Sequence, residues 1–326
     1  MRDEEYLSFT KSTIVRSKKE SLPLLRAAGA LLSAVAPELA ARLVARLCLR
    51  PPRSGRPENE VGALSGARAR VIEVGARRVW TWSWGSGPTV LLVHGWGGRG
   101  SQLAAFVEPL VARGFSVAAF DAPAHGDSDG TQVTLPEMVA ALRTVATIHA
   151  PIHAVVAHSL GAVATARAVH DGLAAGALVF IGPPADLVTP ALTFGDALGL
   201  SRRVRELMQR RIERRVGVPW HAFDVTRLAR SSTTPLLVVH DRDDGEVPWQ
   251  HGAAIARAWF GAELLLTGGL GHRRILGDPT AVTAAVSFIA ARSAPASQAG
   301  RDDVDGDGDW RPHAIAERAA AGTLVR

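Results

Sequence analysis

Ser159 is the residue best placed for chemistry, because of what surrounds it in Val155-Val156-Ala157-His158-Ser159-Leu160-Gly161-Ala162. A short apolar run, Ala154 to Val156, leads into a serine with small residues at minus two and plus two. A helical pattern of Ala162, Ala166 and Val169 follows at once. A strand, a tight turn and a helix in that order hold a serine hydroxyl out from the backbone and set amide N–H groups at a helix N-terminus. A serine hydroxyl is a weak nucleophile at neutral pH and needs an adjacent base, and a histidine used as that base needs a carboxylate to orient it. An ordinary strand–helix turn can also contain S-x-G, so the elements around it decide.

Those elements alternate. Residues 71–74 and 79–82 read as a hairpin turning at Gly75-Ala76, and Val90–Val93 is a continuous apolar run suited to a strand buried on both faces. Further strands are expected at 117–120, 154–156, 178–181, 236–239 and 264–266. Helical patterns fall at 103–111, 136–148, 162–169, 249–260 and 279–292. Short apolar strands alternating with helices specify an α/β fold: a doubly wound, mostly parallel sheet of eight strands. Ligands of such sheets bind beyond the carboxyl ends of the strands. His94-Gly95-Trp96-Gly97-Gly98 follows the third strand and Asp121 to Ser128 the fourth. Ser159 follows the fifth, the run His240 to Pro248 the seventh, and Gly268 to His272 the eighth. Nucleophile, acid and histidine thus come in the order Ser, Asp, His, with Asp241, Asp243 and Asp244 all eligible as the acid.

Taken together, H-G-W at 94–96, D-x-P-x-H-G-x-S at 121–128, the elbow at Ser159, the acid loop ending Val247-Pro248 and His272 resemble the α/β-hydrolase-fold serine hydrolases, over about residues 70 to 292. The bacterial esterase-like members are the most similar. The sequence departs from that pattern at Ala157, where the elbow has glycine, at Ala124 within P-A-H-G, and at Asp241 after His240. The resemblance implies Ser159 as nucleophile, His272 as base and, by alignment on D-x-x-V-P, Asp244 as the acid. It implies backbone N–H donors from Trp96 and Leu160 toward a developing oxyanion, and a pocket of Gly95, Trp96, His158 and Trp220. It further implies hydrolysis of small or medium carboxylic esters through an acyl-serine, with no cofactor and no metal. Thioester hydrolysis or acyl transfer by the same residues is the alternative, as is a non-catalytic binding protein on this scaffold. Among the other histidines, His94 is expected to brace its loop, His125 to stabilise a turn and His240 to lie near the core.

The 326 residues divide into a helical leader and linker over 1–60 and a core over 61–187 and 232–293. A small helical cap is inserted over 188–231, and a disordered tail covers 294–326. Asp303, Asp305 and Asp307 mimic the start of a calcium loop, but its twelfth position would be Ala314, so calcium binding is not expected. Cys48 is the single cysteine, which excludes an internal disulfide. Asp3, Glu4 and Glu5 stand where a signal peptide would carry positive charge, so a cytoplasmic location is expected. The net charge is +6, and residues 201–230 supply as much, with nine arginines against three acids. Only Trp220 and Phe223 fall among them, with no regular interleaving of aromatics and arginines, which argues against nucleic acid as a partner. The expected partner is a small-molecule ester or thioester. In the leader, Pro37 opens a helix with Leu39, Leu43, Val44 and Leu47 on one face and Arg42 and Arg46 on another. That pattern suits weak association with a membrane surface as well as packing on the protein.

Overall fold

Runs of five apolar residues build the centre of the sheet, because a strand covered by helices on both faces has no side left for polar groups. In the computed structural model, which describes residues 23–53, 55–292 and 323–325, β1 (Arg68–Val74), β2 (Arg77–Trp84), β3 (Thr89–Val93) and β4 (Ser116–Phe120) come first. They are followed by β5 (Ile152–His158), β6 (Ala177–Ile181), β7 (Leu236–Asp241) and β8 (Glu263–Thr267). All five residues of β3 and all five of β6 are buried. The expected eight strands form, in the order β1-β2-β4-β3-β5-β6-β7-β8. The β1–β2 hairpin and the β2–β4 pair are antiparallel, and every pairing from β4 through β3 to β8 is parallel. A ninth strand, β9 (Thr323–Val325), lies in the stretch expected to be disordered and pairs antiparallel with β8. The rest of that stretch, including the aspartates near 305, lies outside the described residues, as do Asp3 to Glu5.

Alternate strand residues feed opposite layers. Val90, Leu92, Val156, Val179 and Val239 share a cluster with Phe106, Leu110, Val286 and Ile289. Their neighbours Leu91, Val155, Leu178, Phe180 and Val238 are equally buried on the other face. Helix Leu135–Ile148 starts on a capping box: Thr134 accepts from the Glu137 amide and Glu137 reaches back to the Thr134 amide. Such an arrangement is worth about 1 kcal/mol. The helical pattern expected at 103–111 is divided, a 3₁₀ segment at Gly100–Phe106 running into a short α-helix at Val107–Val111.

Two units divide the chain. Among the described residues, those of 51–186 and those from Ala222 onward form the sheet unit, while 23–50 join Leu187–His221 in a helical unit. The proline-rich stretch after Arg50, expected as a linker, is fastened to the sheet unit by side chains. Arg53 Nε donates to the Ala124 carbonyl at 2.9 Å, and Arg56 reaches Asp121 at 3.2 Å. In the helical unit, Pro37–Cys48 packs on Arg202–Val216. Ala40, Ala41, Val44 and Ala45 meet Val204, Met208 and Ile212 there. Cys48 lies beside Met208 in that cluster, and burial pushes its thiol up to about 11.

Candidate active site

Ser159 sits where β5 turns into helix Leu160–His170, with φ 51° and ψ −125°. Of the described residues, only Ser159 and Ala124 are non-glycines with positive φ. A serine held in that region costs on the order of 1–3 kcal/mol, which the surrounding structure must supply. The turn is pinned by the Ser159 amide donating to the Ile181 carbonyl and by the Ser159 carbonyl accepting from Ala162, both at 2.9 Å. Close backbone approach explains the small residue at plus two: a Cβ on Gly161 would lie 2.5 Å from the His94 carbonyl oxygen. Ala157, at minus two, is fully buried in β5 opposite Val93 and Phe180, where a methyl group fits. At the second departure from the family pattern, Ala124 keeps the left-handed turn with φ 65° despite its Cβ.

His272, in the turn after β8, joins the serine to the acid loop. Its Nε2 is 3.0 Å from Ser159 Oγ and its Nδ1 is 2.7 Å from Asp244 Oδ2. A carboxylate can only accept, so Nδ1 carries the proton and Nε2 is left to accept from the serine hydroxyl. Asp244 Oδ1 takes the amides of Glu246 and Val247, each at 2.8 Å. Burial alone would raise the Asp244 carboxyl. Hydrogen bonds from His240, His272 and the Val247 amide outweigh it and hold the group well below the usual carboxylate range.

The three aspartates are sorted by what they touch. Asp244 meets the imidazole, whereas Asp241 and Asp243 hold the backbone that carries it. Asp241 Oδ1 accepts from the Gly271 amide at 2.9 Å and the Asp243 amide at 3.0 Å. Its Oδ2 accepts from Thr267 Oγ1 at 2.7 Å and the Leu270 amide at 3.2 Å. Asp243 Oδ2 accepts from the Gly269 amide at 2.7 Å. In the sequence Asp241 is a rival acid, and nothing there marks its hold on a turn 30 positions further on.

The H-G-W loop after β3 backs directly onto the serine. A Cβ on Gly95 would stand 2.8 Å from Ser159 Cβ. His94 braces this loop with both nitrogens. Nδ1–H donates to the Gly95 carbonyl at 2.7 Å, and Nε2 accepts the Ala122 amide at 2.9 Å. Trp96 is half-buried and meets the His125 ring edge-on, 5.4 Å between centroids. His125 Nδ1 in turn donates to the Pro123 carbonyl at 3.0 Å. Below them Asp121, raised by burial to about 6, accepts the Gly100 and Asp127 amides at 2.8 and 2.9 Å. Leu160 opens the elbow helix, so its amide has no acceptor within the helix.

His158 and Trp220, both expected to line the pocket, occupy different settings. The His158 ring is buried beside His272, with centroids 4.6 Å apart, and its Nε2–H donates to the His272 carbonyl at 3.0 Å. Trp220 belongs to the helical unit, where it packs against the cluster around Val204 and Met208. His240 is fully buried, and its Nε2–H is shared between the Val247 carbonyl at 3.0 Å and Asp244 Oδ2 at 3.4 Å. Among the described residues, no group of three His, Cys, Asp or Glu side chains is arranged to hold a metal ion.

The arrangement of serine, histidine and acid on the strand ends of a parallel sheet agrees with a family match. The model of the alpha/beta hydrolase family matches residues 90–286, and the chain belongs to that family. No curated protein matches it by sequence. Among solved structures, an esterase from Pyrococcus furiosus superimposes with a TM-score of 0.58 at 18% identity, over 76% of this chain and 98% of that one. Est1E from Butyrivibrio proteoclasticus, solved with ferulic acid bound, gives 0.54 at 19% identity, over 68% and 97%. A bromoperoxidase from Bacillus anthracis gives 0.53 at 16% identity, over 68% and 99%. At such identities the likeness establishes the fold, and chemistry has to be argued from the site.

Proposed function

We propose that this chain is a serine hydrolase that cleaves carboxylic esters of small or medium acyl chain length through an acyl-serine intermediate. The observation that carries the reading is the single imidazole of His272, hydrogen-bonded at once to Ser159 Oγ and to Asp244.

In the proposed reaction Ser159 Oγ bonds to the ester carbonyl carbon while its proton passes to His272 Nε2. Asp244 stabilises the resulting imidazolium and keeps its ring in register. The carbonyl oxygen becomes an oxyanion, met by the backbone N–H groups of Leu160 and Trp96. Collapse of this intermediate breaks the bond to the leaving alkoxide, which takes the proton from Nε2 and departs as the alcohol. Water then repeats the sequence on the acyl-serine, giving the acid and restoring the serine. Trp96, half-buried beside the elbow, narrows the acyl side and favours compact acyl groups.

Graded p-nitrophenyl esters and acyl-thioesters test this, with Ser159→Ala as control. The reading expects turnover of short and medium esters, poorer thioester turnover, and a loss of about a million-fold in Ser159→Ala. Turnover that survives Ser159→Ala, or preference for thioesters across the series, would overturn it.

A further inference from the structure

Helix Pro37–Cys48 has two apolar sides, and its packing uses one. Ala40, Ala41, Val44 and Ala45 are buried within the helical unit. At 100° per residue, Leu39, Leu43 and Leu47 lie on another arc, and they are 49%, 41% and 52% exposed. The preceding helix, over 23–35, also exposes aliphatic side chains, with Leu24 at 74%, Leu31 at 65% and Val35 at 70%. Arg42 and Arg46 are exposed and flank the leucine row at helical spacing. Glu38, the one acid of this helix, faces Arg211 at 3.7 Å.

We propose that this face lies on an anionic lipid surface, with Leu39, Leu43 and Leu47 in the acyl boundary and Arg42 and Arg46 at the headgroup phosphates. Exposed leucines at i, i+4 and i+8 beside a basic rim form the pattern of a helix lying in a membrane interface. Lipid satisfies both halves of it. An acidic protein partner would neutralise the arginines without requiring the leucine row, and a second copy would bring the same cations toward one another. Among the described residues no helix is long and apolar enough to cross a membrane, so the mode is surface-lying. A single such face with two cations gives reversible, salt-sensitive binding.

Co-sedimentation of the full chain with phosphatidylcholine vesicles, with and without phosphatidylglycerol, tests the proposal. The chain is expected to sediment with the anionic vesicles, to stay in solution with the neutral ones, and to be released by salt. Arg42→Gln with Arg46→Gln should weaken partitioning about thirtyfold. Leu39→Gln with Leu43→Gln and Leu47→Gln should weaken it at least about tenfold. All three leucines are exposed, so circular dichroism and turnover of a soluble ester should stay unchanged in the leucine variant, which separates loss of membrane binding from loss of fold. Anionic-vesicle binding unaffected by the leucine changes would overturn the proposal. So would failure of the parent chain to sediment, or a dimer that the leucine changes dissociate.

Discussion

His158 Nε2 donates to the backbone carbonyl of His272 at 3.0 Å, so the residue before the serine holds the residue that would deprotonate it. Elbow and histidine turn are thereby locked together 114 positions apart in sequence. His158 is a positioning residue in this account. His158→Ala should lower kcat by about a hundredfold with KM nearly unchanged, since a displacement of roughly 1 Å in a catalytic group costs about that much. His158→Gln, which keeps a donor, should recover part of the loss. Steady-state kinetics on one ester check both, and a rise in KM alone would assign the ring to the pocket instead.

Asp241 supports the same turn from its other side. Replacing one carboxylate oxygen with an amide NH₂ sets donor against donor in Asp241→Asn, whichever oxygen is replaced. A cost of about 2–3 kcal/mol is expected. Urea unfolding should show it as a lower midpoint, with kcat reduced because His272 loses its register. A wild-type midpoint would contradict this role.

Gly95 and Ser159 allow each other no further atoms. Gly95→Ala must drive the H-G-W loop away from the serine, since the new methyl would stand 2.8 Å from Ser159 Cβ. The Trp96 amide moves with that loop, and losing one oxyanion donor costs about a hundredfold or more in kcat. Unchanged kcat in a folded Gly95→Ala protein would remove Trp96 from the proposed oxyanion site.

Three buried rings set the response to acid. Burial, the largest cause in each case, pulls His94 down to about 4 and His125 and His158 to about 3. Gly95, Pro123 and His272 backbone contacts oppose it, while Arg99, Arg53 and the neighbouring imidazoles add to it. An unfolded chain binds these protons near pH 6.5, and the folded chain refuses them. Their contribution to stability is present above about pH 6.5 and is lost as pH falls toward 4 and 3. Each ring contributes a slope of about 1.4 kcal/mol per pH unit across that window. Urea midpoints measured from about pH 7 down to about pH 5 should fall steeply, and His125→Gln should make the fall shallower by one proton. A midpoint independent of pH would contradict the burial of these groups.

Much of this arrangement is legible in the sequence because strand ends are punctuated. Each of β3, β5, β7 and β8 is an apolar run that stops at a polar or glycine-rich residue, and His94, Ser159, Asp244 and His272 all follow such stops. The structure brings Ser159, Asp244 and His272 into one hydrogen-bonded line. Which neighbouring aspartate faces the imidazole depends on loop geometry, and Asp241, Asp243 and Asp244 differ little as residue types. Arg53 falls in the stretch expected as a linker, and neither its partner nor that of Arg56 is legible in the sequence, because an arginine's distant partner leaves no periodic trace. Val204, Met208 and Ile212 meet Ala40 and Val44, a match the sequence does not show, since two apolar stripes do not name each other.

The most direct measurement is mass spectrometry after treatment with a fluorophosphonate, which bonds covalently to an activated serine. The account predicts one adduct on the wild-type chain, on the peptide carrying Ser159, none in Ser159→Ala, and very slow labelling in His272→Ala. A wild-type chain that stays unlabelled, or one labelled equally fast without His272, would contradict it.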